Sequence, residues 1–319
     1  MDNTLISILL VVRNSELFIS NIIKSLIKQN LNKNDYEIII VDGCSTDNTI
    51  KVAEELLKKN KIQFKIIQNK KKTLASGWNL GIKNAKGKYV IRPDAHAKLE
   101  LGYIKNGIKK LESNKKLAAV GGILKTKSDT FIGKIIAKVL SNPIGVGTSS
   151  FRIGVKTDTF TDTAVYAIYR KKIFDEVGLF NEELARNQDI EFHKRVKEAG
   201  YKFLTSPDMK AVYYSRASIK KFLKQGFQNG FWVTFGHGGH FRHKIPMFFF
   251  IVLLISVIIS PKLFVTILLF YFLLVILSFI TFSHLNNPVH LFLSTILTFL
   301  LHLFYGSGSL FGYVKQKFL

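Results

Sequence analysis

The sequence predicts an α/β domain with a mostly parallel sheet, followed by C-terminal transmembrane helices. Two observations predict the first part. Over about the first 120 residues, apolar segments of strand length alternate with segments of helical periodicity, and the strand-like segments are apolar on both faces. Strands of this kind are typical of a parallel sheet that helices cover on both sides. The third observation is that residues 247–319 contain three lysines and no Asp or Glu.

Uninterrupted apolar runs predict the strands, and apolar residues recurring every three or four positions predict the helices. The predicted strands are 5–12, 36–41, 62–68, 88–91 and 163–170, and the predicted helices are 16–30, 50–60, 74–86 and 187–199. Asp47 or Asn48 is expected to cap the second helix. From 123 to 151 the pattern weakens, and we interpret this segment as a mobile insertion facing a substrate.

The apolar tail predicts two or three membrane helices, because a span needs about 20 apolar residues. Residues 264–282 fit, 289–305 are slightly short, and 247–260 form a short span, an interfacial helix or half of a broken one. The sequence therefore divides into a soluble domain at 1–215, an amphipathic segment along the bilayer surface at 216–246, and a membrane region at 247–319.

Basic residues predict that the soluble domain lies on the cytoplasmic side of the cell membrane. Arg242, His243 and Lys244 precede the apolar region, as the positive-inside rule requires of a cytoplasmic segment. Lys315 and Lys317 favour the same side, which requires an even number of spans. The first apolar run lacks the features of a signal peptide, and a single cysteine excludes an internal disulfide.

The net charge of +24 indicates compositional bias and attraction to anionic membrane lipids. The lysines are scattered, whereas a nucleic-acid site would gather them with aromatic residues. We expect no nucleic-acid partner. A transporter is also disfavoured, since the tail has few ionisable residues to line a pathway.

Three acidic segments are candidates for chemistry, and two of them directly follow predicted strands, where open α/β sheets bind ligands. Asp42 could accept hydrogen bonds from a nucleobase or ribose, or could only shape its turn. Asp94 and His96 can both reach a divalent cation and suit Mn²⁺ better than Mg²⁺, although a helix-capping Asp gives the same pattern. Asp189 opens a predicted helix, where acids are common, but it could also serve as a general base.

In this order and at these intervals, the three acidic segments resemble those of the inverting glycosyltransferases of family 2, which have the Rossmann-like glycosyltransferase A fold. The resemblance covers 4–215 and rests on six ordered segments, namely 8–14, 39–49, 78–89, 94–96, 169–182 and 188–201. The C-terminal helices and the segment from Tyr213 to Trp232 resemble membrane-anchored transferases of the succinoglycan type, which act in exopolysaccharide synthesis on a lipid carrier.

The resemblance implies a nucleotide-diphosphate sugar donor, expected to be UDP-linked, and a divalent cation, Mn²⁺ or Mg²⁺. Asp189 corresponds to the catalytic base, and Asp94 with His96 to the metal-binding pair. The residues implied in donor binding are Val12, Asn14, Asp42, Asn79, Asp94 and Arg216.

Three departures from the family pattern bear on these roles. His96 replaces an Asp, which lowers the charge of the metal site, and Gln188 replaces a Glu, which leaves Asp189 as the only carboxylate of its pair. Trp78 stands where the family has Arg, so a phosphate contact is either lost or supplied by Lys83 or Arg216.

The sequence thus predicts inverting transfer of a sugar to a hydroxyl of a glycan or lipid-linked glycan. Residues 228–232 lack the Arg of processive synthases, which favours addition of a single sugar. The alternative acceptor is a polyprenyl phosphate. That acceptor is already an anion, so Asp189 would matter less as a base.

Overall fold

The computed structural model describes residues 5–215, 218–235 and 241–318. It divides the chain into two compact units, the first comprising 1–125 and 154–213 and the second comprising 126–153 and 214–319. Residues 126–153, expected from the sequence to be an insertion in the soluble domain, therefore group with the C-terminal unit. The division into a soluble domain, an amphipathic segment and a membrane region, at 1–215, 216–246 and 247–319, stays a prediction.

Across the described residues, nine strands form one sheet. They are β1 (Ile6–Val12), β2 (Tyr36–Asp42), β3 (Phe64–Gln68), β4 (Tyr89–Ile91), β5 (Ala97–Leu99), β6 (Leu117–Lys127), β7 (Thr159–Thr161), β8 (Ile168–Arg170) and β9 (Lys202–Tyr214). The order is β3-β2-β1-β4-β8-β6-β9-β5, with β7 beside β9.

Thirteen α-helices lie in the same described residues. They are α1 (Glu16–Ile27), α2 (Thr49–Lys59), α3 (Leu74–Asn84), α4 (Tyr103–Ser113), α5 (Phe131–Leu140), α6 (Pro143–Val146), α7 (Ser150–Ile153), α8 (Lys172–Val177), α9 (Gln188–Glu198), α10 (Ile219–Phe235), α11 (Ile245–Ile259), α12 (Pro261–Ser283) and α13 (Pro288–Lys317).

The first half of the sheet is parallel, and it positions the candidate site. β2 pairs with β1 and β3, and β1 pairs with β4, all in parallel. β8 joins the other side of β4 in the antiparallel direction. The predicted α/β fold is confirmed, and the carboxyl ends of β1, β2 and β4 meet at one edge of the sheet.

The predicted strand 163–170 is shorter in the structure, where β8 begins only at Ile168. Tyr166 has a φ of 43°, in the left-handed region that interrupts a strand. An apolar pattern in the sequence does not report such a local backbone turn.

In the second unit, three helices among the described residues are long and apolar enough to cross a membrane. They are Phe241–Ile259 (the 3₁₀ turn Phe241–Lys244 together with α11), α12 and α13. Ser260 separates α11 from α12, and the rings of Phe249 and Tyr271, one on each helix, stack with centroids 4.7 Å apart, so these two helices form a hairpin. The predicted membrane region therefore contains helices at all three of its apolar stretches.

Helices α10 and α13 run in the same direction and approach each other closely along glycines. A Cβ on Gly226 would lie 2.8 Å from the Leu301 side chain, and one on Gly230 would lie 2.1 Å from the Tyr305 carbonyl oxygen. Small residues permit this approach between apolar helices. Within the segment expected to lie along the bilayer surface, residues 219–235 thus form a helix whose glycine face packs on α13.

Candidate active site

Two predicted donor residues lie side by side at the carboxyl edge of the parallel strands. The register pairs Val12 of β1 with Asp42 of β2. The Val12 carbonyl accepts a hydrogen bond from the backbone N–H of Gly43 at 2.8 Å. The two strands therefore remain joined up to the point where their loops begin.

The loops after β1 and β2 are held together by side-chain hydrogen bonds. The Asp42 carboxylate accepts from the Ser45 hydroxyl at 2.6 Å and from its backbone N–H at 3.1 Å. Asn14 donates its backbone N–H to the Ser45 hydroxyl, and its side-chain oxygen accepts from the Thr46 N–H at 2.9 Å. Asn14 and Asp42 thus belong to one ordered surface that can face a ligand.

Asp47 shapes the start of α2. Its carboxylate accepts hydrogen bonds from the hydroxyl and the backbone N–H of Thr49. The Thr49 hydroxyl is the main reason that the pKa of Asp47 is lowered. Asn48 is the N-cap by position, but its side chain makes no capping bond.

Asp94 and His96 lie in the turn between β4 and β5, and their side chains converge. His96 Nε2 is 3.7 Å from Asp94 Oδ2, and about two-fifths of each side chain is exposed. The Tyr166 hydroxyl donates to the same carboxylate oxygen at 3.2 Å. The His96 ring is held edge-on by Tyr213, with centroids 5.1 Å apart.

This arrangement fits a divalent cation held by two protein ligands. Metal–ligand bonds of about 2.0–2.2 Å allow one ion to bind two donor atoms that are this far apart. Among the described residues, no group of three or more His, Cys, Asp or Glu side chains forms a complete metal site. The other ligands would therefore come from water or from a bound phosphate.

Arg92 follows β4 immediately before the Asp94 turn, and its guanidinium lies among aromatic rings. It lies 3.9 Å from the centroid of Trp78 and 4.8 Å from that of Phe180. One Nη donates to the Tyr169 hydroxyl at 3.3 Å, while the buried Nε has no hydrogen-bond partner in the described part of the chain. Cation–π contacts with these aromatic faces therefore stabilise the charged guanidinium where hydrogen-bond partners are few.

The charge of Arg92 links two of the predicted functional residues. Burial opposes the charged form, but Tyr169, Asp189 and Asp94 together raise the pKa of Arg92 above its ordinary value. Asp94 and Asp189, which are 95 positions apart in the chain, thus both stabilise the charge of Arg92. Sequence reasoning missed Arg92, although its position next to Asp94 was a usable signal.

A hydrogen-bonded chain continues from Arg92 into the core. Arg92 donates to the Tyr169 hydroxyl, which lies 2.7 Å from His193 Nε2, and His193 Nδ1 lies 2.8 Å from the Thr163 hydroxyl. Burial, and next the charge of Arg92, hold the pKa of His193 well below its usual value. The neutral imidazole thus fixes the Tyr169 ring beneath Arg92.

Asp189 is half-buried in the first turn of α9, and one carboxylate oxygen accepts from the backbone N–H of Ile190 at 3.0 Å. Gln188 is buried, and its amide donates to the Leu184 carbonyl at 2.7 Å. Glu191 pairs with Arg195 at 2.6 Å. Gln188 and Glu191 therefore have local partners, which leaves Asp189 as the candidate base on this helix.

Asn79, another predicted donor residue, is buried and bonded within the protein. Asn79 is 4% exposed. Its amide donates to the Phe180 carbonyl and the Glu182 carboxylate, and its oxygen accepts from the Phe180 N–H. These contacts hold the 180–182 segment against α3, so direct donor binding by Asn79 stays a prediction. Arg216 lies outside the described residues.

Residues 7–178 match the family model described as glycosyl transferase family 2. The chain is 33% identical, over 97% of each chain, to the dolichyl N-acetyl-alpha-D-glucosaminyl phosphate 3-beta-D-2,3-diacetamido-2,3-dideoxy-beta-D-glucuronosyltransferase of Methanococcus voltae. It is 26% identical to the succinoglycan biosynthesis protein ExoA of Rhizobium meliloti, over 63% of this chain and 58% of that protein.

Among solved structures, the chain resembles the mannosyltransferase PcManGT from Pyrobaculum calidifontis in complex with GDP-Man and Mn²⁺. The TM-score is 0.55 at 15% identity, covering 92% of this chain and 73% of that one. At this identity the likeness shows a shared fold.

Proposed function

The chain belongs to glycosyltransferase family 2, and we propose that it transfers one sugar from a nucleotide-diphosphate donor to a hydroxyl of a lipid-linked glycan. One observation carries the proposal. Asp94, whose carboxylate converges with His96, and Asp189 on α9 both interact electrostatically with the guanidinium of Arg92, which directly follows β4. This arrangement supplies a site for the leaving diphosphate and a separate carboxylate for the acceptor.

The donor is expected to bind across the two tied loops. Asp42 and Asn14 offer side-chain acceptors to a base or ribose from a surface that is already ordered, so little entropy is lost on binding. Asp94 and His96 would hold the divalent cation. When bound, the cation neutralises the charge that develops on the departing diphosphate. A UDP-linked sugar is the expected donor.

Asp189 would act on the acceptor. A sugar hydroxyl loses its proton as it attacks, and a carboxylate within hydrogen-bond reach can accept that proton. The carboxylate of Asp189 makes one backbone hydrogen bond and no ion pair at salt-bridge distance among the described residues. A single displacement on the face opposite the diphosphate would invert the anomeric centre.

The relative in Methanococcus voltae supports the proposed acceptor. The name of that enzyme specifies transfer onto a sugar that is already attached to dolichyl phosphate. The similarity extends over 97% of both chains and therefore includes the apolar helices. This favours a lipid-linked sugar over a free polyprenyl phosphate as the acceptor of the present chain.

The test replaces the proposed base without changing its shape. Asp189→Asn should lower turnover by about 10²–10⁴-fold with little effect on donor affinity, because the amide cannot accept the proton. Glu198→Gln, at the exposed end of the same helix, removes the same charge and serves as the control. Near wild-type turnover of Asp189→Asn with a sugar acceptor would refute the assignment and favour an acceptor that is already ionised.

We also propose which side of the membrane carries the C-terminus. Helix α10 begins with Lys220, Lys221 and Lys224, which are unfavourable in the hydrocarbon core. The C-terminal half of α13 packs along α10 and is therefore expected at the interface. A Cβ on Gly306 would lie 2.2 Å from the Pro246 carbonyl, in the first turn of α11.

In this arrangement α11 and α12 enter and leave the bilayer as a hairpin. Lys315 and Lys317 then remain on the same side as Arg242 and Lys244. The positive-inside rule assigns that side to the cytoplasm.

A further inference from the structure

The second unit contains a cavity of about 470 Å³. Its walls come from α6 and the two residues after it, the beginning of α11, the middle of α12 and the middle of α13. The volume lies in the range of about 300–1,000 Å³ that is typical of small-ligand sites. Among the described residues, none of those discussed above as donor, metal or base residues lines it.

The chain fixes the wall formed by α6 through one buried polar side chain. Asn142, which caps α6, is fully buried. Its amide donates to the Ser278 carbonyl at 3.1 Å and to the Ser283 hydroxyl at 2.9 Å, and its oxygen accepts from the Ser278 hydroxyl. The short helix α6 is thus anchored to α12, so the cavity has a defined wall.

The lining is mostly apolar, with polar groups confined to a few positions. Ile144, Val146, Ile245, Phe249 and Leu301 give aliphatic and aromatic surface. Arg242 donates to the Thr148 hydroxyl at 3.4 Å, and His243 also lines the space. A second polar pair, the Tyr271 hydroxyl and His302 Nδ1, is joined at 2.9 Å.

The position of the cationic group relative to the apolar helices points to the ligand. Arg242 and His243 lie in the 3₁₀ turn directly before α11, the helix that begins the hairpin. The N-terminus of a helix favours an anion, and basic residues at a membrane edge attract anionic headgroups. The cavity thus combines a site for one negative charge with an apolar wall continuous with the membrane helices.

We propose that this cavity binds the phosphate and the first isoprene units of a polyprenyl-linked acceptor. Arg242 and Thr148 would bind the phosphate, and the apolar wall would hold the start of the single chain. The inference rests on the proposed function in taking the acceptor to be lipid-linked. A two-chain phospholipid offers the same phosphate, so the experiment must separate these two sources.

The test uses the full chain in phosphatidylcholine nanodiscs and a polyprenyl phosphate that carries a photoreactive group on its first isoprene unit. Labelling is expected within residues 143–148 and 301–305, and unlabelled polyprenyl phosphate should compete with it whereas phosphatidylglycerol and inorganic phosphate should not. Arg242→Gln should weaken labelling by about tenfold to a hundredfold, as expected for loss of a hydrogen bond to a charged group. Val146→Phe, which fills the cavity, should weaken it comparably.

Lys244→Gln is the matched control. It also removes one positive charge, two residues after Arg242, but the Lys244 side chain does not line the cavity. Equal labelling of Arg242→Gln and the unmodified chain would overturn the proposal, as would equal competition by phosphatidylglycerol. The readout is binding, so it is independent of transfer. Labelling in the cavity without transfer to any lipid-linked sugar would contradict the proposed function alone, whereas transfer with labelling elsewhere would contradict only this site.

Discussion

The pairing of Arg92 with Trp78 can be measured as a coupling free energy. Trp78→Leu removes the nearest aromatic face, 3.9 Å from the guanidinium, and leaves Phe180 at 4.8 Å. Loss of a desolvated cation–π contact of this kind costs about 1–2 kcal/mol. The same substitution also removes ring packing against Phe180, whose centroid is 5.0 Å away, and large-to-small changes of this type cost roughly 2–4 kcal/mol.

A double-mutant cycle separates the two costs. Arg92→Met keeps an unbranched side chain but removes the charge and its unpartnered Nε. In the presence of Trp78 we expect a change in stability of less than about 1 kcal/mol, because a buried charge can often be replaced by an apolar group at little cost. In the Trp78→Leu background, Arg92→Met should instead stabilise the fold by about 1–2 kcal/mol, since it removes a buried cation that has lost its best neighbour.

The assay is urea unfolding of the full chain in detergent, followed by circular dichroism, with donor affinity measured by titration calorimetry as a second readout. Each of Trp78→Leu and Arg92→Met should weaken donor binding by roughly five- to thirtyfold, equivalent to about 1–2 kcal/mol. The control cycle combines Trp78→Leu with Lys202→Met. The Lys202 ammonium lies over a different ring, that of Phe160, so no coupling with Trp78 is expected. Additivity of Trp78→Leu and Arg92→Met within about 0.5 kcal/mol would refute the reasoning.

Three other predictions concern the metal, the core histidine and the membrane hairpin. Excess chelator should abolish turnover, Asp94→Ala should lose metal-dependent donor binding and His96→Asp should retain much of it; full activity in chelator would contradict the metal role. The pKa of His193 is lowered by burial and by Arg92. Just below about pH 6.5, His193 therefore gains a proton in the unfolded chain but not in the folded one. The free energy of unfolding should therefore fall by about 1.4 kcal/mol per pH unit from there down to the folded pKa, and His193→Gln should remove this slope; an unchanged slope would exclude His193 as its source. In a Cys44→Ser chain, Lys244→Cys and Lys317→Cys should react with an impermeant maleimide from the same side of sealed vesicles. Labelling from opposite sides would mean that α13 also crosses the bilayer, and would contradict the proposed position of the C-terminus.

Sequence patterns were sufficient for the elements whose structure is set locally. The uninterrupted apolar runs predicted β1 and β2, and the parallel order of strands then placed the loops after Val12 and Asp42 next to each other. The turn of Asp94 and His96 was equally predictable, because both residues follow a strand by a few positions and both side chains face the same space.

The rest of the site depends on contacts between distant segments, which periodicity does not report. Trp78 stands where the family has Arg, and the sequence alone does not show that its ring packs against the guanidinium of Arg92. Asn79, one residue later, holds the backbone of Phe180 through its side-chain amide, a contact that the sequence pattern did not predict, and its role in donor binding stays a prediction. Adjacent residues of α3 thus contact the same distant segment in different ways, Trp78 through the Phe180 ring and Asn79 through the Phe180 backbone.

The glycines that join α10 to α13 have a consequence for comparing and recombining related chains. A Cβ on Gly230 would meet the Tyr305 carbonyl at 2.1 Å, and one on Gly308 would meet that of Phe227 at 2.1 Å, so each helix contacts the backbone of the other. Backbone atoms cannot change rotamer, and the two helices lie more than fifty residues apart in the sequence. A chimera that takes the apolar tail from one relative and the preceding segment from another therefore combines an α10 and an α13 whose contact surfaces were not matched to each other. The two helices should be exchanged together.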